Sequence, residues 1–565
     1  MTKKGLANNL TNYGDPDFSL YLRRSFARSM GYSTEMLDRP VVGIATAASG
    51  FNNCHRTTPD LVEAVKRGVL AAGGLPLDFP TISLGEVFLN PTSMMFRNLM
   101  SMDVEEMIRA QPMDSVVLVG GCDKTLPAQL MGAVSAGLPF VYLAVGPMMT
   151  GRYQGERMGA CTDCRRFWGQ YRSEAISKSE IDTVEGTLAV TAGTCAVMGT
   201  ASTMACIAET LGVSLPGTAA IPAVHADRLR AAEASGKRAV ELIGTGLTPD
   251  KIITPGAVEN ALRVLLAVGG STNAIVHLTA IAGRLGIEIS LAHLNELSDT
   301  TPVLVDLKPT GENYMEDLFA AGGVGAILRE LRPVLDMDTR SVAGETLGER
   351  LTADPGYVNP AVVRPFAEPF QPVGGLVALH GNLAPRGAIL KRAAADPRLF
   401  EGEGRAVVFS SLDDLNERID RDDLDVTPED YLVLRNAGPK AIGMPEAGYL
   451  PIPGKLARAG VKDMVRISDA RMSGTAFGTI VLHVTPEAAD GGALGLVENG
   501  DRIRLSVADR RLELVVEDAE LARRRAAKSE DAVMVHKRGY GKLFVDHVLQ
   551  ADQGCDFDFL RGVGI

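Results

Sequence analysis

The stretch that decides the fold is VVLVGGCDKTLPAQLMGA, residues 116–133. An apolar strand runs into two glycines and a Cys-Asp-Lys triplet, after which a proline and an apolar repeat predict a helix. Strand–turn–helix units place such turns at the carboxyl ends of strands, where open α/β sheets bind ligands. Thiolates prefer iron–sulfur clusters, copper or zinc, whereas carboxylates prefer magnesium, calcium or manganese. Cys122 and Asp123 therefore indicate two different metals, and the alternative is a buried structural cysteine beside a surface ion pair.

The sequence on either side of this stretch alternates strand and helix signals. Apolar runs at 40–45, 115–119 and 140–145 predict strands. The helix that follows the first strand is expected to begin with Thr58 as its N-cap and Pro59 at its first position. This alternation predicts an α/β fold whose N-terminal domain has α/β/α layers around a mostly parallel sheet.

The composition changes after a proline-rich stretch at 351–375. Beyond it, short apolar runs predict strands, and residues 501–516 alternate around an Ala-Asp turn in the pattern of a β-hairpin. We therefore expect two domains, 1–373 and 374–565. The second is predicted to be β-rich and barrel-like.

Composition excludes several classes of protein. Of the 565 residues, 46% are hydrophobic and 22% are charged, values that are ordinary for a folded globular chain. A net charge of -12 argues against nucleic acids and anionic membranes as partners, but it allows a small anionic substrate. The N-terminal residues carry no apolar signal-peptide core, and no apolar run is long enough to span a bilayer, so we expect a cytoplasmic protein without a membrane segment.

The chain contains 7 cysteines, an odd number that favours thiols or metal ligands over a disulfide scaffold. Cys54, Cys122 and Cys195 share a setting, because each lies in a turn rich in glycine, small or amide residues, where backbone approaches a cofactor closely. Cys161 and Cys164 form a CxxC pair. No second CxxC completes a zinc site, so we interpret this pair as structural or incidental.

Two segments carry a family resemblance. GGCDKTLPAQLMGA (120–133) and MVRISDARMSGTAFG (464–478) resemble the signatures of the dihydroxyacid and sugar-acid dehydratases, which include dihydroxy-acid, 6-phosphogluconate and pentonate dehydratases. The chain is most similar to the aldonic-acid (arabinonate and xylonate) branch. Further similar stretches follow in the family's order along nearly the whole chain: FLNPTSMMFRNL (88–99), GTCAVMGTASTM (193–204), GGSTNAIVHL (269–278), GNLAPRGAILK (381–391) and VTPEAADGG (484–492).

The resemblance implies an iron–sulfur cluster, which is 2Fe–2S in the pentonate branch. Cys54, Cys122 and Cys195 match its three cysteine ligands. Three thiolates leave one iron open to bind a substrate hydroxyl, as catalytic metals generally require. The pattern of the family does not include Cys161 and Cys164.

The resemblance also implies a magnesium ion beside the cluster. Its ligands match Glu86, Asp123 and Glu446, and Lys124 matches a lysine whose carboxylated amine supplies a further oxygen, the type of donor that suits magnesium. Without the resemblance, Glu86 and Glu446 would be interpreted as surface carboxylates.

Ser473 matches the general base of the family, and Thr475 is a candidate substrate contact. Without the resemblance, Ser473 would be interpreted as a helix N-cap. The implied reaction is loss of water from a 2,3-dihydroxy acid such as arabinonate, xylonate or gluconate. Ser473 would remove the C2 proton, the C3 hydroxyl would leave, and the enol would become a 2-keto-3-deoxy acid.

Several alternatives stay open. Branched-chain dihydroxy acids or glycerate would undergo the same chemistry. A transferase with Cys122 as nucleophile would need a nearby base. An iron–sulfur sensor without turnover would not need Ser473 or the magnesium carboxylates. Members of the family are usually dimers or dimers of dimers, so we expect a homodimer or homotetramer.

Overall fold

A parallel sheet forms the centre of the N-terminal half; the computed structural model describes residues 4–10, 13–527 and 534–562. The strands of this half are β1 (Val41–Thr46), β2 (Leu75–Pro80), β3 (Ser115–Gly120), β4 (Phe140–Ala144), β5 (Gly151–Tyr153) and β6 (Glu156–Met158). The first four form one sheet in the order β2-β1-β3-β4, and β5 pairs with β6 in a small hairpin. Every neighbouring pair in the four-stranded sheet is parallel, which confirms the predicted sheet.

Helices cover this sheet and build the rest of the N-terminal half. They are α1 (Pro16–Ser29), α2 (Thr34–Leu37), α3 (Thr58–Ala71), α4 (Ser93–Ala110), α5 (Thr125–Ala136), α6 (Thr162–Arg172), α7 (Lys178–Leu188), α8 (Thr200–Thr210), α9 (Ala226–Leu242), α10 (Pro249–Ile252), α11 (Pro255–Ala267), α12 (Asn273–Gly283), α13 (Leu291–Thr300), α14 (Met315–Ala320), α15 (Gly323–Glu330) and α16 (Leu347–Ala353). α3 packs against α9, and α4 packs against α5. Among the described residues, none of the helices combines the length and apolarity that a membrane crossing requires.

The predicted start of α3 was wrong by one residue. Thr58 is the first helical residue, and Thr57 occupies the N-cap position without a side-chain hydrogen bond. The Thr58 side chain is buried, and its hydroxyl has no hydrogen-bond partner, so it caps no N–H group of the first turn.

The strand order creates a crevice between β1 and β3. The chain leaves β1 towards β2 on one side, crosses back to β3, and then leaves β3 towards β4 on the other side. The loops after β1 and β3 therefore diverge at the carboxyl edge, which is where ligands bind in such sheets. Cys54 lies in the loop after β1, and Cys122 lies in the turn after β3.

The C-terminal half is built on an eight-stranded sheet. Its strands are β7 (Val377–Leu379), β8 (Gly387–Leu390), β9 (Glu401–Phe409), β10 (Tyr431–Leu434), β11 (Arg466–Ser468), β12 (Ile480–Thr485), β13 (Arg502–Ser506) and β14 (Arg511–Val515), in the order β14-β13-β9-β10-β11-β12-β8-β7. A backbone bridge between His380 and Arg511 nearly closes this sheet into a barrel, as predicted. The accompanying helices are α17 (Leu412–Arg418), α18 (Pro439–Ile442), α19 (Gly454–Arg458), α20 (Asp518–Ala527) and α21 (Gly539–His547).

Two adjacent parallel strands carry the candidate residues of this half. β10 pairs with β11 in parallel, Glu446 lies in the loop after β10, and Ser473 lies in the loop after β11. Asp469 ties these loops together, because its Oδ1 accepts a hydrogen bond of 3.0 Å from the N–H of Ala437. Glu446 and Ser473 consequently lie at the same end of the barrel.

Glu487 is a buried carboxyl group in the loops at this end of the barrel. It accepts hydrogen bonds from the N–H groups of Lys440 and Ala441 and from the side-chain amide of Gln550. Burial and the neighbouring charge of Asp469 raise the pKa of Glu487 to about 7. Glutamate in an unfolded chain has a pKa of about 4.3, so between these values the folded state holds a proton that the unfolded chain has lost. The contribution of Glu487 to stability therefore falls as the pH rises from about 4 to 7.

Glu487→Gln is expected to flatten the dependence of thermal stability on pH. Between pH 5 and pH 7.5, the unfolding temperature of the wild type should fall more than that of the variant, because glutamine does not titrate. Differential scanning fluorimetry across this range measures the difference. Glu417→Gln, at an exposed carboxylate of α17, is the control and should retain the wild-type slope. Parallel curves for the wild type and Glu487→Gln would contradict the assignment.

Candidate metal and catalytic site

Three carboxylates meet where the two halves of the molecule contact each other. Glu86 lies in the loop after β2, Asp123 in the turn after β3, and Glu446 in the loop after β10. Each offers an oxygen atom, and these atoms all lie within 4.8 Å of one another. Clustered carboxylate oxygens are the donors that magnesium prefers, so the residues present fit this ion.

Two cationic side chains face these three carboxylates. Lys124 Nζ lies 3.3 Å from Glu86 Oε2, and the Arg471 guanidinium lies 2.9 Å from Glu86 and 2.6 Å from Glu446. Burial would raise the pKa of Glu86, but Lys124 and Arg471 outweigh it and lower that pKa to about 2. Burial, opposed by Lys124 and assisted by Glu86 and Glu446, raises the pKa of Asp123 to about 7. A divalent cation would relieve this excess of buried negative charge.

Arg471 joins the two halves at this point, and the sequence analysis did not identify it. Besides its ion pairs with Glu86 and Glu446, it donates to the Met444 carbonyl (2.8 Å) and to the Thr92 hydroxyl (3.1 Å). A buried guanidinium needs such a full set of partners. The available signal was its position two residues before Ser473 in the second signature, which also contains Arg466.

A group of thiols lies beside the carboxylates. Cys54 and Cys122 hydrogen-bond to each other, and Cys195 Sγ lies 3.4 Å from Cys161 Sγ. The hydrogen bond with Cys122 and burial raise the pKa of Cys54, and the charge of Asp123 adds to this effect. The hydrogen bond with Cys161 and burial do the same for the pKa of Cys195. Soft sulfur donors and hard oxygen donors are thus adjacent, as two different metals would require.

Cys122 has an unusual backbone conformation. Its φ of 74° lies in the left-handed region, which costs a residue with a side chain roughly 1–2 kcal/mol. Strained residues of this kind persist where the surrounding structure enforces them, and they cluster at functional sites. The turn that carries Cys122 and Asp123 is therefore held in place by its surroundings.

His55 supplies part of that constraint, and the sequence analysis did not identify it either. Its Nδ1 lies 2.9 Å from the Ala47 carbonyl, and its Nε2 accepts from the Gly121 N–H at 3.0 Å. Burial lowers the pKa of His55, and the contacts fit a neutral ring that donates through Nδ1. The imidazole thereby ties the loop of Cys54 to the turn of Cys122. Its position directly after Cys54 was the available signal.

Ser473 lies in a turn between β11 and β12, and no helix follows it, so it is not an N-cap. Its hydroxyl lies 2.8 Å from Thr475 Oγ1, and it also accepts from the Thr475 N–H at 3.4 Å. Thr475, the candidate substrate contact, therefore contacts Ser473. Both side chains are nearly fully buried.

Side chains from distant motifs hold this turn. Asn273 donates to the Met472 carbonyl (2.9 Å), Lys391 donates to the Gly474 carbonyl (3.1 Å), and Thr162 donates to the Thr475 carbonyl (3.1 Å). A Cβ atom on Gly474 would lie 2.6 Å from Ser271 Cβ, so this position requires glycine. The GGSTN segment and the lysine of GNLAPRGAILK thus converge on the loop of Ser473.

A cavity of about 550 Å³ opens beside the thiols. Its lining includes Cys161, Cys164, Trp168 and Arg165, and the Arg165 guanidinium lies 4.7 Å from the centre of the Tyr449 ring. Small-molecule sites usually have volumes of about 300–1,000 Å³, so the cavity suits a small metabolite. Arg172 is paired with Asp420 in the lining, and the positive charge of Arg165 favours an anionic metabolite.

Comparison with known proteins shows the family of this chain. Residues 39–350 match the N-terminal region of the dihydroxy-acid/6-phosphogluconate dehydratases, and residues 361–555 match their C-terminal region. The chain belongs to this dehydratase family. Its members are hydro-lyases, so the chain is an enzyme of the dehydratase class.

Similar sugar-acid dehydratases cover nearly the whole chain. The L-arabonate dehydratase of Azospirillum brasilense is 46% identical, and the alignment covers 97% of this chain and 96% of that enzyme. The 6-deoxy-6-sulfo-D-gluconate dehydratase of Pseudomonas putida is 44% identical, and the alignment covers 93% of this chain and 91% of that enzyme. The dihydroxy-acid dehydratase of Syntrophobacter fumaroxidans is 38% identical, and the alignment covers 89% of this chain and 91% of that enzyme. These relatives thus include dehydratases named for sugar acids and one named for dihydroxy acids.

Proposed function

We propose that this chain is an iron–sulfur, magnesium-dependent hydro-lyase that converts an aldonic acid to its 2-keto-3-deoxy acid. Arabinonate, xylonate and gluconate are the substrates proposed. One observation carries the proposal. The carboxylate cluster, the cysteine side chains and the turn of Ser473 all lie between the two halves of the molecule. Sugar-acid dehydratases at 44–46% identity, against 38% for a dihydroxy-acid dehydratase, favour aldonic acids over branched ones.

The proposed ligands follow from the chemistry of the donors. Glu86, Asp123 and Glu446 would hold magnesium, and Lys124 would supply a further oxygen once its amine is carboxylated. Cys54, Cys122 and Cys195 would hold the cluster, proposed as 2Fe–2S. When bound, these groups supply positive charge beside the substrate carboxylate and a Lewis acid for the departing C3 hydroxyl.

Ser473 is the proposed general base that removes the C2 proton. A serine hydroxyl is a weak base at neutral pH, so its oxygen needs neighbours that stabilise the anion. The hydroxyl and N–H of Thr475, at 2.8 and 3.4 Å, can both donate to it. The hydrogen bonds from Asn273, Lys391 and Thr162 would keep this turn rigid during proton transfer.

The substrate would enter through the cavity beside Cys161. Arg165 lines it and would attract the carboxylate of a sugar acid from solution, whereas Arg172 is paired with Asp420, which also lines the cavity. Trp168 and Tyr449 offer flat faces along the same route. The volume of about 550 Å³ accommodates a five- or six-carbon acid.

The geometry is less favourable for a cysteine-nucleophile transferase. That chemistry needs a base within reach of Cys122, such as an imidazole. The His55 ring reaches the turn of Cys122 through its contact with Gly121, but Ala47 and Gly121 engage both of its nitrogens. His55 is therefore committed to the backbone rather than available to a thiol.

Anaerobic purification followed by analysis of iron, acid-labile sulfide and keto-acid formation tests the function. The assay should cover xylonate, arabinonate, gluconate, glycerate and dihydroxyisovalerate. We expect equal amounts of iron and sulfide, with the highest kcat/KM on an aldonic acid. A preference for dihydroxyisovalerate would assign the chain to the branched-acid enzymes. A protein without iron after cluster reconstitution would overturn the cofactor proposal.

Removal of magnesium is expected to abolish turnover reversibly. EDTA should reduce the rate to background, because Glu86, Asp123 and Glu446 would then repel one another instead of binding the substrate carboxylate through the ion. Added Mg²⁺ should restore the rate, while EDTA already saturated with Mg²⁺ serves as the control. The iron content, measured in parallel, must stay constant. Unchanged activity in EDTA would count against the site.

His55→Ala is expected to reduce cluster occupancy. The substitution frees the loop of Cys54 from the turn of Cys122, and loss of such supporting contacts typically weakens metal sites about 10–100-fold. Iron and sulfide per chain after limited reconstitution measure the effect. The control is His293→Ala, at an exposed histidine of α13. Wild-type iron and sulfide in His55→Ala would refute the positioning role.

A further inference from the structure

The CxxC pair lies against the proposed cluster ligands. Cys161 Sγ is 3.4 Å from Cys195 Sγ, and Cys164 is a hydrogen-bonding neighbour of Cys161. The interpretation of this pair as incidental does not account for the sulfur–sulfur contact. Cys161 also lines the cavity through which a substrate would enter.

The backbone enforces the approach of Cys161 to Cys195. The N–H of Ala196 donates to the Ala160 carbonyl at 3.0 Å, which joins the residue after Cys195 to the residue before Cys161. On the other side of Cys161, Thr162 donates to the Thr475 carbonyl at 3.1 Å. Both flanks of Cys161 are therefore held by residues of the proposed site.

The spacing of the two sulfur atoms suits a shared metal. Metal–thiolate bonds at a tetrahedral site are about 2.3 Å long, which places two sulfur ligands of one metal about 3.7 Å apart. Cys161 and Cys195 are close to this separation without a metal. Cys54 and Cys122, which hydrogen-bond to each other, form a second pair. Two pairs of thiolates are the complete ligand set of an all-cysteine 2Fe–2S cluster.

We propose that Cys161 is a fourth cysteine ligand of the cluster, sharing one iron with Cys195 while Cys54 and Cys122 share the other. This inference rests on the proposed iron–sulfur function and extends it, since the family resemblance implies three cysteines only. Both irons would then be ligated by two cysteines each in the resting protein. A substrate hydroxyl could reach the iron of Cys195 only in place of Cys161.

Mössbauer spectroscopy of the whole protein, reconstituted with ⁵⁷Fe, tests this assignment. Two irons with identical ligand sets should produce a single quadrupole doublet in the oxidised wild type. Cys161→Ser and Cys161→Ala should produce two doublets of equal area, because one iron loses a thiolate while the three cysteines that the family resemblance implies keep the cluster bound. Cys164→Ser, in the same motif, is the matched control and should keep the wild-type spectrum.

Two outcomes would overturn the inference. Two unlike irons in the wild type would show that one iron lacks a second thiolate, and this result stands even if the variants fail to fold. Identical spectra for the wild type and Cys161→Ser would also overturn the inference. The proposal that three cysteines hold the cluster would then still stand. Absence of iron and sulfide from the wild type is a distinct result that would overturn the cluster itself.

Discussion

Cys122→Ser is expected to lose the visible absorbance of the cluster and all measurable turnover. Cys122 lies at the switch point of the parallel sheet, hydrogen-bonded to Cys54 and adjacent to Asp123 in sequence. Serine has nearly the same volume and tolerates the same turn, but its hydroxyl is a poor ligand for iron in place of a thiolate. The fold should therefore persist while the cluster is lost.

The absorbance spectrum, iron content and far-UV circular dichroism of Cys122→Ser separate loss of the cluster from loss of folding. Cys206→Ala is the control, because Cys206 is fully buried in α8 and its expected role is packing. That variant should remain coloured and active. A coloured, active Cys122→Ser would rule out Cys122 as a ligand.

Ser473→Ala is expected to stop turnover while leaving the cluster and the fold unchanged. Removal of a general base typically costs about 10²–10⁴-fold in rate. The turn would survive the change, because Asn273, Lys391 and Thr162 hold its carbonyl groups rather than the serine side chain. Steady-state kinetics and exchange of the C2 hydrogen with solvent deuterium measure the two consequences.

Thr475→Val is the matched comparison for Ser473→Ala. Valine keeps the β-branched shape but removes the hydroxyl that lies 2.8 Å from Ser473. In the proposed mechanism Thr475 would stabilise the oxygen rather than receive the proton, so its loss should lower kcat less than the loss of Ser473 does and should leave some C2 exchange. Near-normal turnover or C2 exchange in Ser473→Ala would exclude the base role.

Much of the fold could be predicted from local sequence patterns. The strands at β1, β3 and β4 were predicted within about one residue, because period, length and flanking glycines mark them. The hairpin of β13 and β14 followed from strict alternation around a short turn. Helix starts were less certain: Thr57 rather than Thr58 occupies the N-cap position of α3, and neither hydroxyl caps an N–H group of the first turn.

The candidate site was less accessible to such patterns. Glu86 and Glu446 have the sequence context of surface carboxylates, and only the family resemblance selected them. Arg471, His55 and Cys161 carried weak signals or misleading ones. Their roles depend on partners far away in the chain, which periodicity and composition do not report.

The sequence by itself determined the alternation of strands and helices, the change to a β-rich second half, and the cysteine-bearing turn after β3. These features depend on neighbours along the chain, because backbone propensity and apolar periodicity act over a few residues. Only the tertiary structure showed that the carboxylate oxygens of Glu86, Asp123 and Glu446, which the family resemblance had already grouped, lie within 4.8 Å of one another. It alone also placed Cys161 against Cys195. Such contacts arise when the parallel sheet and the barrel pack together and bury charged and sulfur-bearing side chains, which then require partners.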